Sequence, residues 1–290
     1  MTSEEVGAAA QLACLLEASA PKPGNVSPGR HFHDTRYEDF LASAVAIGPA
    51  MAAAGRTSLG ATIRTAVAAT RCLTPRNTNL GIVLLLAPLC RAACAPAPRP
   101  LRERVRRVLA ETSISDADGV YEAIRLAAPS GLGATSAQDV AGSPTVTLRE
   151  AMALAADRDS VAREYVTDFD ITFSLGAPAL RAALTEGLAW TDAVVDAYLA
   201  VLAQVPDSHV ARKLGPAAAE AISGRVREVR ALGGVRTAPG RAALAALDAE
   251  LRDDRNTRNP GTSADLTAAA ICVVILEDGW HPSGEYARAE

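Results

Sequence analysis

Four short polar turns hold residues able to handle a phosphorylated small molecule. They read Pro21-Lys22-Pro23-Gly24-Asn25, Asn77-Thr78-Asn79-Leu80-Gly81, Ala211-Arg212-Lys213-Leu214-Gly215 and Asn259-Pro260-Gly261-Thr262. Lys22 and Lys213 are the two lysines among 29 basic residues, and the five asparagines are Asn25, Asn77, Asn79, Asn256 and Asn259. A compact ammonium and a guanidinium are not interchangeable. A lysine kept against so strong a bias toward arginine therefore points to a specific contact. The competing explanation is ordinary turn chemistry, which by itself favours Asn, Gly and Pro.

Each turn offers a different chemistry. Lys22 lies between two prolines that stiffen its backbone, and Gly24 permits a sharp turn; a lysine so held can meet a phosphate as a point charge. His31-Phe32-His33-Asp34 follows and reads as an acid–base or metal cluster, or as a packed histidine with Asp34 capping a helix that starts near Arg36. Asn77, Thr78 and Asn79 lead into an apolar helix whose free N–H groups suit phosphate, and Gly81 would admit a ligand to the backbone. Asp207, Ser208, His209, Arg212 and Lys213 place an acid and bases on one segment. There Lys213 favours a phosphate contact, against Asp207 as a simple cap. Asp265 stands three residues after Thr262, where it is either a capping-box partner or a site carboxylate.

The elements that must position these residues are helices. Alanine-rich runs with helical spacing dominate, and strand-type alternation is nearly absent, so the expectation is an all-α fold, a single multi-helix domain over residues 1–290. Capping boxes are expected at Thr2 with Glu5, Thr35 with Glu38, Thr147 with Glu150 and Thr262 with Asp265. Helices are expected at 57–73, 79–95, 101–111, 116–127, 157–173, 191–204, 216–232, 241–252 and 262–277. Pro49 should kink or end the helix that begins near Arg36. The stretch from Pro129 to Pro144, with Gly131, Gly133 and Gly142, reads as a mobile loop over a site.

Bulk properties narrow the function. A net charge of −4 and a pI near 5.7 give no nucleic-acid surface. Arg102, Arg104, Arg106 and Arg107 read as a solvated helix face. The apolar runs 80–89 and 266–276 are too short to span a bilayer, so no membrane role is expected. Five cysteines without a zinc spacing read as core thiols in a reducing cytoplasm. The apolar helix content permits a homo-oligomer.

Taken in order, these turns resemble the triphosphoribosyl-dephospho-CoA synthase family. The resemblance rests on Pro21-Lys22-Pro23-Gly24-Asn25-Val26, Phe40-Leu41-Ala42-Ser43, Asn77-Thr78 and Asn259-Pro260-Gly261-Thr262-Ser263-Ala264-Asp265-Leu266. It implies an all-α enzyme that joins ATP to 3′-dephospho-CoA and releases adenine. The family's middle motif runs Asn-Thr-His-Lys-Gly; here it is Asn77-Thr78-Asn79-Leu80-Gly81, which leaves a related acceptor alcohol open. The Gly29–Asp34 stretch carries one extra residue, which leaves His31 and His33 as alternatives. The implied chemistry is pentosyl transfer at C1 of the ATP ribose, with positive charge building on the ring. Asp34 and Asp265 would stabilise that charge, take the acceptor proton or hold Mg²⁺. His31 or His33 would assist adenine. Lys22, Arg212, Lys213 and Asp207 would belong to the phosphate region, and Asn25, Asn77, Thr78 and Asn79 would orient the nucleotide. A metal-dependent nucleotide or ADP-ribose hydrolase and a non-catalytic ATP-binding protein are the alternatives.

Overall fold

A computed structural model describes residues 1–95, 98–129 and 137–280. Among these residues there are fourteen α-helices, one π-helical turn, one 3-10 turn and no strand. The all-α expectation holds. Residues 130–136 of the expected Pro129–Pro144 loop, with Gly131 and Gly133, lie outside the described residues.

The chain forms two compact units, interleaved in sequence: residues 1–15 with 38–170, and residues 16–37 with 171–290. The first contains most of α1 (Ser3–Ser19) and α2 (Tyr37–Ala52), with α3 (Leu59–Leu73), α4 (Leu80–Cys94), α5 (Leu101–Ala110), α6 (Ile114–Ala127), α7 (Leu148–Ala153) and α8 (Ser160–Val166). The second contains a π-helical turn (Thr172–Gly176), α9 (Ala177–Thr185), α10 (Trp190–Gln204), α11 (Ser208–Leu214), α12 (Pro216–Ala231), a 3-10 turn (Gly234–Arg236), α13 (Ala238–Leu251) and α14 (Gly261–Asp278).

Each unit is built on a helix that is apolar nearly all round, the pattern of an element surrounded on every side. In the first it is α4, buried from Leu80 through Cys90 except at Gly81. In the second it is α14, buried from Leu266 through Ile275, packed against α10. Helices α3 and α6 cross so closely that a Cβ on Gly60 would lie 2.5 Å from the Asp116 carbonyl oxygen, so this contact admits only glycine.

Helix starts follow the sequence signals where a side chain can reach back. Thr2 with Glu5 and Thr147 with Glu150 form the expected reciprocal bonds. The Thr262 expectation is corrected. Helix α14 begins at Gly261 after Pro260, and buried Thr262 accepts from the Ser208 hydroxyl at 3.0 Å instead of capping. The 157–173 helix is also corrected. It stops at Val166, and Asp168 and Phe169 both adopt left-handed backbone, φ 55° and 59°.

Pro49 neither ends nor breaks α2, which continues to Ala52. A helical proline orphans the carbonyl four residues earlier. For Pro49 that is Val45 O, and Gln11 Nε2 donates to it at 2.9 Å. Pro88 inside α4 orphans Leu84 O, and the buried Tyr165 hydroxyl donates to it at 2.7 Å. Both helices tolerate proline because a side chain from another element replaces the missing N–H. Of the arginine cluster on α5, Arg104 is no solvated residue: it donates to the last carbonyls of α4, Ala92 O at 2.7 Å and Ala95 O at 3.1 Å.

Candidate functional site

The second unit contains most of the predicted residues, and Asp207 stands where two of its helices start. The Asp207 carboxylate, 1% exposed, joins them. Its Oδ1 accepts from Val210 N at 3.0 Å, capping α11. Its Oδ2 accepts from Ser263 N at 2.7 Å and Ser263 Oγ at 2.8 Å, satisfying the first turn of α14. Burial raises its pKa, and the Ser263 and Val210 donors pull it back. Of the two roles the sequence left open for Asp207, the hydrogen bonds here are those of a cap and a frame.

On that frame, the His209 ring lies over Gly261, where a Cβ would come 3.1 Å from Nδ1. Burial, then the charges of Lys213 and Arg212, hold its pKa at about 3, so the imidazole is neutral. Lys213 is half-buried and donates to Asn256 O at 3.1 Å. Burial and Arg212 lower its pKa, while Asp253, Asp207 and Asp34 work in the other direction. Asp34 therefore lies within electrostatic reach of Lys213. Asn256, at left-handed φ 52°, places Nδ2 3.3 Å from His33 Nδ1. Asp253 shapes this turn. Burial pushes its pKa up, but the Thr257, Arg255 and Arg258 donors outweigh that and hold it at about 2.

His31 has a structural partner: its Nδ1 accepts from Tyr37 N at 3.1 Å, at the first turn of α2. The capping role expected of Asp34 thus falls partly to His31. Asp34 itself is exposed and accepts from Thr35 Oγ1 at 3.2 Å. Asp265 is half-buried on the second turn of α14.

Lys22 does not project from an exposed turn. It is 1% exposed, pairs with Glu17 Oε1 at 2.9 Å and also donates to the Glu17 and Ala20 carbonyls. Asn25 is buried too, with Nδ2 3.1 Å from the Tyr198 hydroxyl, which donates to Pro23 O at 3.0 Å. Asp248 on α13 accepts from Gly24 N at 2.8 Å and pairs with Arg30 and Arg252, and Arg252 Nη2 donates to Asn25 O at 2.6 Å. The turn is stapled to α13 from both sides.

Asn77, Thr78, Asn79 and Gly81 belong to the first unit. Asn77 Oδ1 accepts from Leu80 N at 3.2 Å, Thr78 shares a 2.5 Å hydroxyl bond with Ser43, and Asn79 Nδ2 donates to Thr70 Oγ1 at 3.0 Å. The exposed Asn77 and the half-buried Gly81 border the start of α4. All three polar side chains have protein partners, which is more than a simple cap requires.

Among the described residues, no three His, Cys, Asp or Glu side chains gather as a metal-binding group. A hard divalent cation needs about six oxygen ligands. Asp34 and Asp265 would suit Mg²⁺ only with phosphate oxygens completing the shell, as for a nucleotide-borne ion. Glu17, Tyr198, Asp248 and Arg252 were not among the residues singled out for the site. His209 lay inside a quoted motif, and Asn256 and Asn259 were flagged by the scarcity of asparagine; the others carried no local signal.

The fold is all-helical, and around the starts of α11 and α14 the second unit brings a half-buried lysine and a neutral imidazole together. A family model described as ATP:dephospho-CoA triphosphoribosyl transferase (CitG) matches residues 3–283, so the chain belongs to that family. A relative from Pseudomonas fluorescens, described as "Probable 2-(5''-triphosphoribosyl)-3'-dephosphocoenzyme-A synthase", is 32% identical over 111 residues, 38% of each chain. The "2-(5''-triphosphoribosyl)-3'-dephosphocoenzyme-A synthase" of Klebsiella pneumoniae is 35% identical over 97 residues, 33% of this chain and 34% of that one. The matched segments thus span little more than a third of either relative. A solved structure, "Crystal structure of putative triphosphoribosyl-dephospho-coA synthase from Archaeoglobus fulgidus", superposes with a TM-score of 0.63 at 28% identity, covering 83% of this chain and all of that one.

Proposed function

We propose that the chain transfers the triphosphoribosyl group of ATP to a ribose hydroxyl of 3′-dephospho-CoA or a closely related acceptor, releasing adenine. The observation that carries this is the family match through residues 3–283, which runs through both units and all four polar turns. The C1′–N bond to adenine breaks, a C1′–O bond to the acceptor forms, the acceptor hydroxyl gives up its proton and adenine takes one. The three phosphates stay on the transferred sugar.

Within this reading Arg212 and Lys213 hold the phosphates. Lys213 suits the task because its lowered pKa reflects a poorly solvated cation that gains from an anionic partner. Asp34 and Asp265 are the carboxylates for the developing charge on the ribose ring and for the acceptor proton, and His33 is the histidine next to the cluster. Bound Mg²⁺ would neutralise the triphosphate, with Asp34 and Asp265 as its protein ligands. The setting is a cytoplasmic enzyme of prosthetic-group synthesis.

The test is adenine release from ATP and Mg²⁺ with and without 3′-dephospho-CoA. Adenine formed in step with an acceptor adduct supports the transfer. Adenine or phosphate formed equally without acceptor would make the protein a hydrolase.

A further inference from the structure

Among the described residues, the buried polar atoms of the second unit without a hydrogen-bond partner include His209 Nε2 and Asn259 Oδ1, besides the hydroxyls of Ser27 and Ser223. Orphaned polar atoms are uncommon in native interiors and destabilise them. His209 and Asn259 belong to one neighbourhood, because the His209 ring packs over Gly261, two residues beyond Asn259. The frame fixes the two flanking elements: Asp207 ties the start of α11 to Ser263, and Ser208 bonds Thr262.

Their chemistry narrows what would satisfy them. An amide oxygen accepts only, whereas a neutral imidazole nitrogen either donates or accepts. A hydroxyl can accept from the imidazole and donate to the amide, satisfying both at once. Arg212 and Lys213 lie three and four residues beyond His209 and share its helix face, about 5–6 Å away at Cβ. A sugar hydroxyl stands at that kind of reach from a 5′-phosphate, and the hydrogen-bonding edge of a nucleobase stands farther off.

We propose that His209 and Asn259 form a subsite for a ribose hydroxyl of a 5′-phosphorylated nucleotide whose phosphates engage Arg212 and Lys213. This deepens the transferase reading and rests on it. Both orphan atoms are buried, and Lys213 donates to Asn256 O at 3.1 Å. Two ligands carry this chemistry, ATP and the dephospho-CoA acceptor, and the test separates them.

Calorimetry would compare ATP, 2′-deoxy-ATP, 3′-deoxy-ATP and 3′-dephospho-CoA on the wild type and on the His209→Phe and Asn259→Ala variants. The expected result is that wild type prefers ATP to one deoxy analogue by about tenfold, the worth of one hydrogen bond of about 1.4 kcal/mol. Each variant loses that preference by weakening ATP while leaving the deoxy analogue unchanged. If the variants instead weaken dephospho-CoA alone, the proposal stands with the acceptor's ribose as the occupant. Variants that bind all four ligands as the wild type does overturn it while leaving the transferase reading intact. A wild type that binds neither ATP nor dephospho-CoA overturns the transferase reading and the subsite with it. Should His209→Phe fail to fold, Asn259→Ala decides.

Discussion

Asp207 offers the sharpest choice between a ligand contact and a frame. The Asp207→Asn change keeps size and shape but turns one oxygen into an N–H donor. Whichever way the amide faces, one donor pair is opposed: the new NH₂ meets either Val210 N or the two Ser263 donors. Losing a cap costs about 1 kcal/mol, and a buried donor left without an acceptor adds about 1–3 kcal/mol. The sum is about 3 kcal/mol. A chain of 290 residues has an unfolding entropy near 0.6 kcal/mol/K at about 2.1 cal/mol/K per residue, so the melting temperature should fall by about 5 °C. Thermal unfolding by circular dichroism reads that shift, and ATP titration of the folded variant reads the site. An unchanged melting temperature with ATP affinity lost would refute the frame and return Asp207 to the binding surface.

Three further outcomes follow from particular contacts. His209 titrates near 6.5 when unfolded and at about 3 when folded, so between those values the unfolded chain binds more protons and stability falls as pH falls. Between pH 6.5 and 5 that is about 2 kcal/mol, read as a lower urea midpoint; the His209→Gln variant should lose this component, and an equal decline in both would remove His209 as its source. Lys22→Ala strands buried Glu17 and should cost about 3–5 kcal/mol, with Glu17→Gln in the same chain recovering part of it. A stable but inactive Lys22→Ala protein would instead favour a phosphate role. Tyr165→Phe leaves Leu84 O unpaired in wild type, at about 1–3 kcal/mol. In a Pro88→Ala background the restored helical N–H takes over, so a cost unchanged there would contradict the substitution of side chain for backbone donor.

Much of this was legible from sequence because it is local. Alanine-rich periodicity gave the helices, the apolar runs marked α4 and α14, and Thr2–Glu5 and Thr147–Glu150 declared their caps. What escaped depends on partners far away in the chain. Pro49 looked like a helix end because Gln11, 38 residues earlier, is invisible to local reasoning. Asp168 and Phe169 break a run that is periodic through a positive-φ turn not signalled by glycine. At the candidate site, scarcity of lysine and asparagine marked these segments but could not tell a buried strut from a ligand contact. Lys22 and Lys213 carry the same signal; one is sealed against Glu17 and the other is half-buried in the polar cluster. Asp248, 224 residues from the Gly24 amide it holds, had no local mark.

The most direct measurement of the central claim follows two labels in one reaction. ATP carrying ³²P in its γ-phosphate and ¹⁴C in its adenine is incubated with the protein, Mg²⁺ and 3′-dephospho-CoA, and the products are separated by chromatography. Triphosphoribosyl transfer predicts ¹⁴C as free adenine and ³²P on the acceptor, in equal amounts. ³²P recovered as inorganic phosphate, or both labels remaining together in ATP, would contradict it.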